Sequence, residues 1–93
     1  MLAGFRDRFT EEFWRTGHSR RFGSSLSKAA RRKLAQWHFA TTLNDLRAPP
    51  GNRLEALAGD RLGQHSIRIN DRWRVCFVWR NGNAHEVEIA DYH

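Results

Sequence analysis

Hydrophobic positions change their period partway along the chain. In the first half they recur every three or four residues. Phe5, Phe9 and Phe13 fall on one face of a helix, with Thr10 as a candidate cap and Glu11 and Glu12 in the first turn, where negative charge suits the helix dipole. Met1 to Phe5 reads alternatively as a short strand that starts a sheet. Thr16 to Ser25 has loop chemistry. The clearest helix follows, because Lys28 to Leu43 contains no Gly or Pro and Ser25 or Ser27 is available to cap it. Leu26, Ala30, Leu34 and Trp37 form one stripe, while Phe39, Leu43 and Leu46 lie nearly opposite. That change of face predicts a bend near His38, or a helix covered on two sides.

Ala48-Pro49-Pro50-Gly51-Asn52 ends the helical half, and Arg53 to Asp60 reads as a short turn. Beyond it the period becomes two. His65, Ile67 and Ile69 alternate with polar neighbours. After the Asn70-Asp71-Arg72 turn, Trp73, Val75, Phe77 and Trp79 do the same, and after Asn81-Gly82-Asn83 so do His85, Val87 and Ile89. Asn-Gly tolerates the positive φ that a tight hairpin needs. The predicted fold is a single α+β domain over residues 1–93. Its N-terminal helices cover one face of an antiparallel sheet, a three-strand meander closes the chain, and the other face is partly open.

Charge and composition narrow the function. The chain has 93 residues, too few for a second core, and 40% apolar content, enough for a folded protein. Sixteen basic residues against ten acidic ones leave a net charge of +6. Fourteen of the sixteen are arginine, whose flat fork of donors matches phosphate oxygens in pairs. This balance points to a polyanionic partner such as RNA or the ribosome. Arg31, Arg32 and Lys33 make a basic cluster at the front of the long helix, a binding patch or a solvated face. One cysteine, Cys76, excludes an internal disulfide and a multi-thiolate metal site, and suggests a reducing cytoplasm. No apolar run is long enough to span a bilayer and no signal peptide is expected, so no membrane partner is expected either. His18, His38, His65 and His85 lack metal-ligand spacing, and neither metal nor cofactor is expected. The motifs of P-loop nucleotidases, common serine hydrolases and zinc proteases are absent.

Chemistry concentrates in the second half. Arg68 and Arg74 occupy polar positions in strands rich in Ile, Val, Trp and Phe. Each either reaches over an open sheet face or pairs with a carboxylate, and Glu86 or Glu88 across the hairpin is the nearest partner for Arg74. Asp91 and His93 share a face if the last strand continues, forming a plausible acid–base pair. Tyr92 offers a stacking surface and a hydroxyl. Glu55 lies close in sequence to the Gly59-Asp60-Arg61 turn.

The runs Asn52-Arg53-Leu54-Glu55-Ala56-Leu57, Gly59-Asp60-Arg61, Ser66-Ile67-Arg68-Ile69-Asn70-Asp71, Trp73-Arg74-Val75-Cys76-Phe77 and Val87-Glu88-Ile89-Ala90-Asp91-Tyr92-His93 resemble the HigB family. These are toxins of bacterial type II toxin–antitoxin pairs within the RelE superfamily. The resemblance implies a RelE-like fold and metal-independent cleavage of mRNA in the A site of the 70S ribosome, with the RNA's own 2′-OH attacking the scissile phosphorus. It implies neutralisation by a cognate HigA antitoxin, a helix-turn-helix protein through which alone the toxin would reach operator DNA. In this scheme Arg74 clamps the phosphate, His93 or Asp91 moves protons, Tyr92 stacks on or orients a nucleotide, and Glu55 is a candidate base. Arg31, Arg32, Lys33, Arg53, Arg61 and Arg68 would contact RNA. Family members usually carry a lysine before the Gly-Asp of the turn, where this chain has Ala58, so impaired cleavage is expected. The alternatives are a non-catalytic RNA- or ribosome-binding domain and a related toxin with another target, such as gyrase.

Overall fold

The computed structural model describes residues 2–17, 24–47, 52–70 and 72–91, with backbone alone at 24–27 and 29. Tyr92 and His93 lie outside these residues. So do most of the expected Thr16–Ser25 loop, Ala48 to Gly51 of the expected connection, and Asp71 of the expected turn.

The first helix, α1, spans Arg8–Thr16. Its cap is Asp7 rather than Thr10: the Asp7 carboxylate accepts from the Thr10 N–H at 2.7 Å, satisfying a donor that the first turn leaves open. Thr10 turns inward instead. It is fully buried, and its hydroxyl accepts from the Ile89 N–H at 3.1 Å, which ties α1 to the sheet. Gly17 closes the helix at φ 81°, a left-handed conformation that glycine adopts without strain, and donates its N–H to the Phe13 carbonyl. Phe13 is fully buried and Phe9 stays partly exposed. Phe5 lies outside the helix.

The second helix, α2, spans Ser24–His38, so Ser25 and Ser27 lie within it. Ala30, Leu34 and Trp37 are buried along one stripe, as the spacing predicts. The change of face at His38 is where the helix ends. A separate 3-10 turn, Leu43–Arg47, carries the second apolar face, with Leu46 buried. Asp45 organises the entry to that turn by accepting from the Thr41 and Thr42 N–H groups, each at 3.0 Å. These bonds to the charged form hold its carboxyl below the usual value.

The sheet has four antiparallel strands in sequential order: β1 (Glu55–Ala56), β2 (His65–Arg68), β3 (Trp73–Arg80) and β4 (Asn83–Asp91). The last three are the expected meander, and β1 adds a short edge. Asn81 and Gly82 join β3 to β4 with φ of 52° and 79°, the paired positive values of the expected hairpin turn. One extra residue sits in β4, where Cys76 pairs with Glu88 but Val78 pairs with His85, and Glu86 lies at φ 51°. This bulge resets the alternation. Ala84 and Val87 both face the core, and His85 does not take the inward position that strict alternation gives it. Residues Leu2 and Phe5 bridge in parallel to Ala84 and Val87 on the free side of β4, so the alternative strand-like reading of the N-terminal residues fits this edge.

Ile67, Ile69, Val75, Phe77, Ala84, Val87 and Ile89 pack with Phe13, Ala30, Leu34, Trp37 and Leu46 in one core between sheet and helices. Truncating Leu34 or Phe13 to alanine would cost about 2–5 kcal/mol, by lost transfer energy and the cavity left behind. The opposite face of the sheet presents Glu55, Ser66, Arg68, Arg74, Cys76 and Glu88, which register and alternation place on one side.

Candidate active site

Arg74 is the centre of that open face. Its side chain is only 12% exposed, on the sheet face opposite the hydrophobic core. Among the described residues, these are three of the groups that hold it. Nε donates to the hydroxyl of buried Ser66 at 3.0 Å, Nη2 donates to the Arg53 carbonyl at 3.0 Å, and Nη2 stands 3.8 Å from a carboxylate oxygen of Glu55. The acidic neighbour is therefore Glu55, on the short strand β1. Of the expected hairpin partners, Glu88 is engaged by Arg61 and Glu86 sits in the bulge. Glu55 keeps 54% of its side chain exposed, so it can reach a ligand.

The approach to Arg74 is set by the loop before β1. Asn52 is fully buried; its amide donates to the Leu46 carbonyl at 3.2 Å and accepts from Lys33 Nζ at 3.3 Å. Lys33 also donates to the Arg68 carbonyl at 3.1 Å. These bonds fasten α2 to both the loop and the end of β2. Burial, together with the charges of Arg68 and Arg32, pushes the Lys33 ammonium below its ordinary pKa. Next along the chain, Arg53 adopts φ 47°, left-handed for a residue with a side chain. Its carbonyl meets Arg74 from this turn.

The other sequence candidates separate into groups. Ala58 is exposed and caps the 3-10 turn Gly59–Arg61 from an extended backbone, leaving room for a longer side chain. Arg61 from that turn crosses the open face to Glu88 at 3.0 Å and also donates to Gln64. Arg68 stands in register with Arg74, and its Nε donates to the Asn70 carbonyl at 3.3 Å. Arg31 and Arg32 are exposed on α2, and Arg31 lies against Gly17, where a Cβ would fall on its guanidinium. Lys33 is a link between elements more than an outward charge.

Asp91 pairs in register with Trp73, on the side of the sheet opposite Arg74, and its carboxylate accepts from Arg72 Nε at 2.8 Å. Arg72 also lies 5.0 Å above the Trp73 ring. The residue beside Arg74 in register is Ala90. Ser66, Asn52 and Arg6 are missing from the sequence-derived set. Ser66 was within reach of sequence, since it shares the β2 face of Arg68. The partners of Asn52 and Arg6 come from distant segments that no local pattern reveals.

Comparison with known proteins gives the family. Residues 3–93 match the RelE-like toxin of type II toxin–antitoxin system HigB. Toxin HigB-1 of Vibrio cholerae serotype O1 is 40% identical over 85 residues, covering 90% of each chain. Endoribonuclease HigB of Proteus vulgaris is 42% identical over 41 residues, 44% of this chain and 45% of that one. The toxin–antitoxin complex YoeB–YefM from Staphylococcus aureus contains a chain of the same fold. It has a TM-score of 0.62 and 17% identity, with 100% of this chain and 98% of that chain covered. The chain belongs to the HigB-like toxin family, an endoribonuclease family of type II toxin–antitoxin systems, and has its RelE-like α+β fold.

Proposed function

We propose that this chain is a ribosome-dependent endoribonuclease that cleaves mRNA in the A site by attack of the RNA's own 2′-OH, without a metal. The observation that carries the reading is the placement of Arg74 and Glu55 together on the sheet face away from the core, 3.8 Å apart. Cleavage by this route needs a cation at the phosphate, a group that takes the 2′-OH proton and a group that protonates the 5′ leaving oxygen. Arg74 is the phosphate clamp. Ser66 and the Arg53 carbonyl fix its guanidinium before substrate arrives, so little reorganisation is needed during the reaction. Glu55, next to the clamped phosphate, orients or deprotonates the 2′-OH. Tyr92 and His93 follow closely on Ala90, the register partner of Arg74, and supply a stacking surface and the leaving-group proton, whereas Asp91 is held by Arg72 on the opposite side. Arg53, Arg61 and Arg68 surround the site and hold the strand, while Arg31 and Arg32 extend the basic surface on α2.

Ala58 lowers the rate. A lysine at this exposed position would add a positive charge near the phosphate, and losing one such contact costs about a hundredfold or more. The partner is a HigA-type antitoxin carrying the helix-turn-helix that binds operator DNA, and the toxin works in the cytoplasm, where ribosomes are. Among the described residues no helix is long and apolar enough to cross a membrane.

Primer extension on a defined mRNA in a bacterial translation extract tests the reading. The samples are this chain, Ala58→Lys, and Ala58→Lys combined with Arg74→Ala. Cuts within codons that require ribosomes, strengthen with Ala58→Lys and vanish with Arg74→Ala are the expected result. Ribosome binding without any cut in the first two proteins would replace the nuclease by a non-catalytic binder.

A further inference from the structure

A second group of charges lies beside Arg74 on the open face. Glu88 stands in register with Cys76, one strand over and two residues along from Arg74, a backbone separation of about 8 Å. One carboxylate oxygen of Glu88 accepts from Arg61 Nη1 at 3.0 Å and lies 4.0 Å from Arg6 Nε. The two guanidiniums arrive from opposite sides. Arg61 comes from the 3-10 turn after β1 and is steadied by Gln64 at 3.1 Å. Arg6 comes from the N-terminal edge segment, where its own N–H donates to the Val87 carbonyl at 2.9 Å. One carboxylate leaves this trio net positive. Arg6 is half exposed and Arg61 one-third exposed, so both reach solvent. The close Arg61–Glu88 pair, with Glu88 only 20% exposed, also steadies the sheet, but the half-exposed Arg6 at 4.0 Å adds little to stability.

We infer that Arg6 and Arg61, oriented by Glu88, form a second phosphate subsite for the RNA strand whose scissile phosphate Arg74 holds. The inference rests on the nuclease reading for the register of the strand, though the binding it describes does not require cleavage. A guanidinium offers five N–H donors in a flat fork, so one edge can face Glu88 while another takes a phosphate oxygen. The subsite lies one strand over and two residues along from the Arg74 clamp, a distance that neighbouring nucleotides of one strand can cover. Glu88 fixes the arginines and at the same time repels the strand, which limits affinity.

The test measures binding of a short single-stranded oligoribonucleotide, methylated at every 2′-OH so that it cannot be cut, across a series of salt concentrations. Each phosphate contact contributes about 0.7 to the slope of log affinity against log salt for a single strand. Arg6→Ala and Arg61→Ala should each lower the slope by about that amount. Arg47→Ala, which removes an exposed charge from the 3-10 turn after α2, should not. Glu88→Gln keeps an acceptor for the arginines and removes the repelling charge, so affinity should rise severalfold. An unchanged slope in either arginine variant overturns the subsite, as does an equal fall in Arg47→Ala. Weaker binding in Glu88→Gln overturns the role given to Glu88. Messenger cleavage with ribosomes, measured in parallel in an Ala58→Lys background, separates the two readings. Cutting with unmoved slopes defeats the subsite alone, whereas lowered slopes without cutting defeat the nuclease and leave the subsite standing.

Discussion

The Arg53 carbonyl accepts a hydrogen bond from Arg74 Nη2 at 3.0 Å, and Arg53 itself holds a left-handed backbone, φ 47°, in doing so. The side chain at the centre of the candidate site is thus aimed partly by a main-chain atom in a costly conformation.

Arg74→Ala in an Ala58→Lys background should reduce ribosome-dependent cleavage at least about a hundredfold. Arg74→Lys should not restore it, because a lysine cannot donate to Ser66, the Arg53 carbonyl and a phosphate in the same flat geometry. Primer extension with matched protein concentrations checks both.

Asn52→Ala should destabilise the fold by about 1–3 kcal/mol. It strips a partner from the Leu46 carbonyl and from Lys33 at a fully buried position. Urea unfolding of the two proteins measures the difference. The variant should also lose cleavage beyond its loss of folded protein, since the loop it anchors presents the Arg53 carbonyl.

Lys33 gives a pH dependence with a definite sign. Its folded-state pKa lies below 10.5, first through burial and then through Arg68 and Arg32. Well below the folded value the ammonium is charged in both states, and the full penalty is present. Between the folded value and 10.5 the unfolded chain binds the extra proton, so stability rises with pH. Relative to Lys33→Met, the wild-type chain should gain stability as pH climbs toward 10.5. Urea midpoints that keep a constant offset across that range would contradict this.

Cys76 should react with iodoacetamide far more slowly in the native chain than in urea. It is fully buried, and burial pushes its thiol pKa up against the opposing pull of Arg61, Arg74 and Arg6. Mass spectrometry of timed quenches reads the rates. Comparable rates in both conditions would mean that the arginine layer over β3 opens readily.

Local patterns carried most of the fold. The stripe of Ala30, Leu34 and Trp37 and the Asn81-Gly82 turn were legible because each depends on residues a few positions apart. Strand β1 was not legible, since two exposed residues have no period. The bulge at Glu86 escaped because one extra residue in β4 breaks the alternation on which the strand was read. Asp7 displaced Thr10 as the cap because Thr10 has a partner in Ile89, far along the chain. For the candidate site, residue types were legible and pairings were not. Arg74 and Glu55 stood out as charges, while their meeting depends on the β1–β2–β3 register, and Arg6 reaches the face only through the edge segment. The positions of Tyr92 and His93 lie outside the described residues.

The parallel bridges of Leu2 to Ala84 and of Phe5 to Val87 also dictate an order of events during synthesis. The edge segment at Leu2 and Phe5 is made long before its partners in β4, and Thr10 waits for the Ile89 amide 79 residues on. Closure across that separation must be met late and all at once. Until β4 emerges, Arg6 has no sheet to lie on and the open face has no Glu88. The charged face of this toxin is thereby incomplete until β4 has been made.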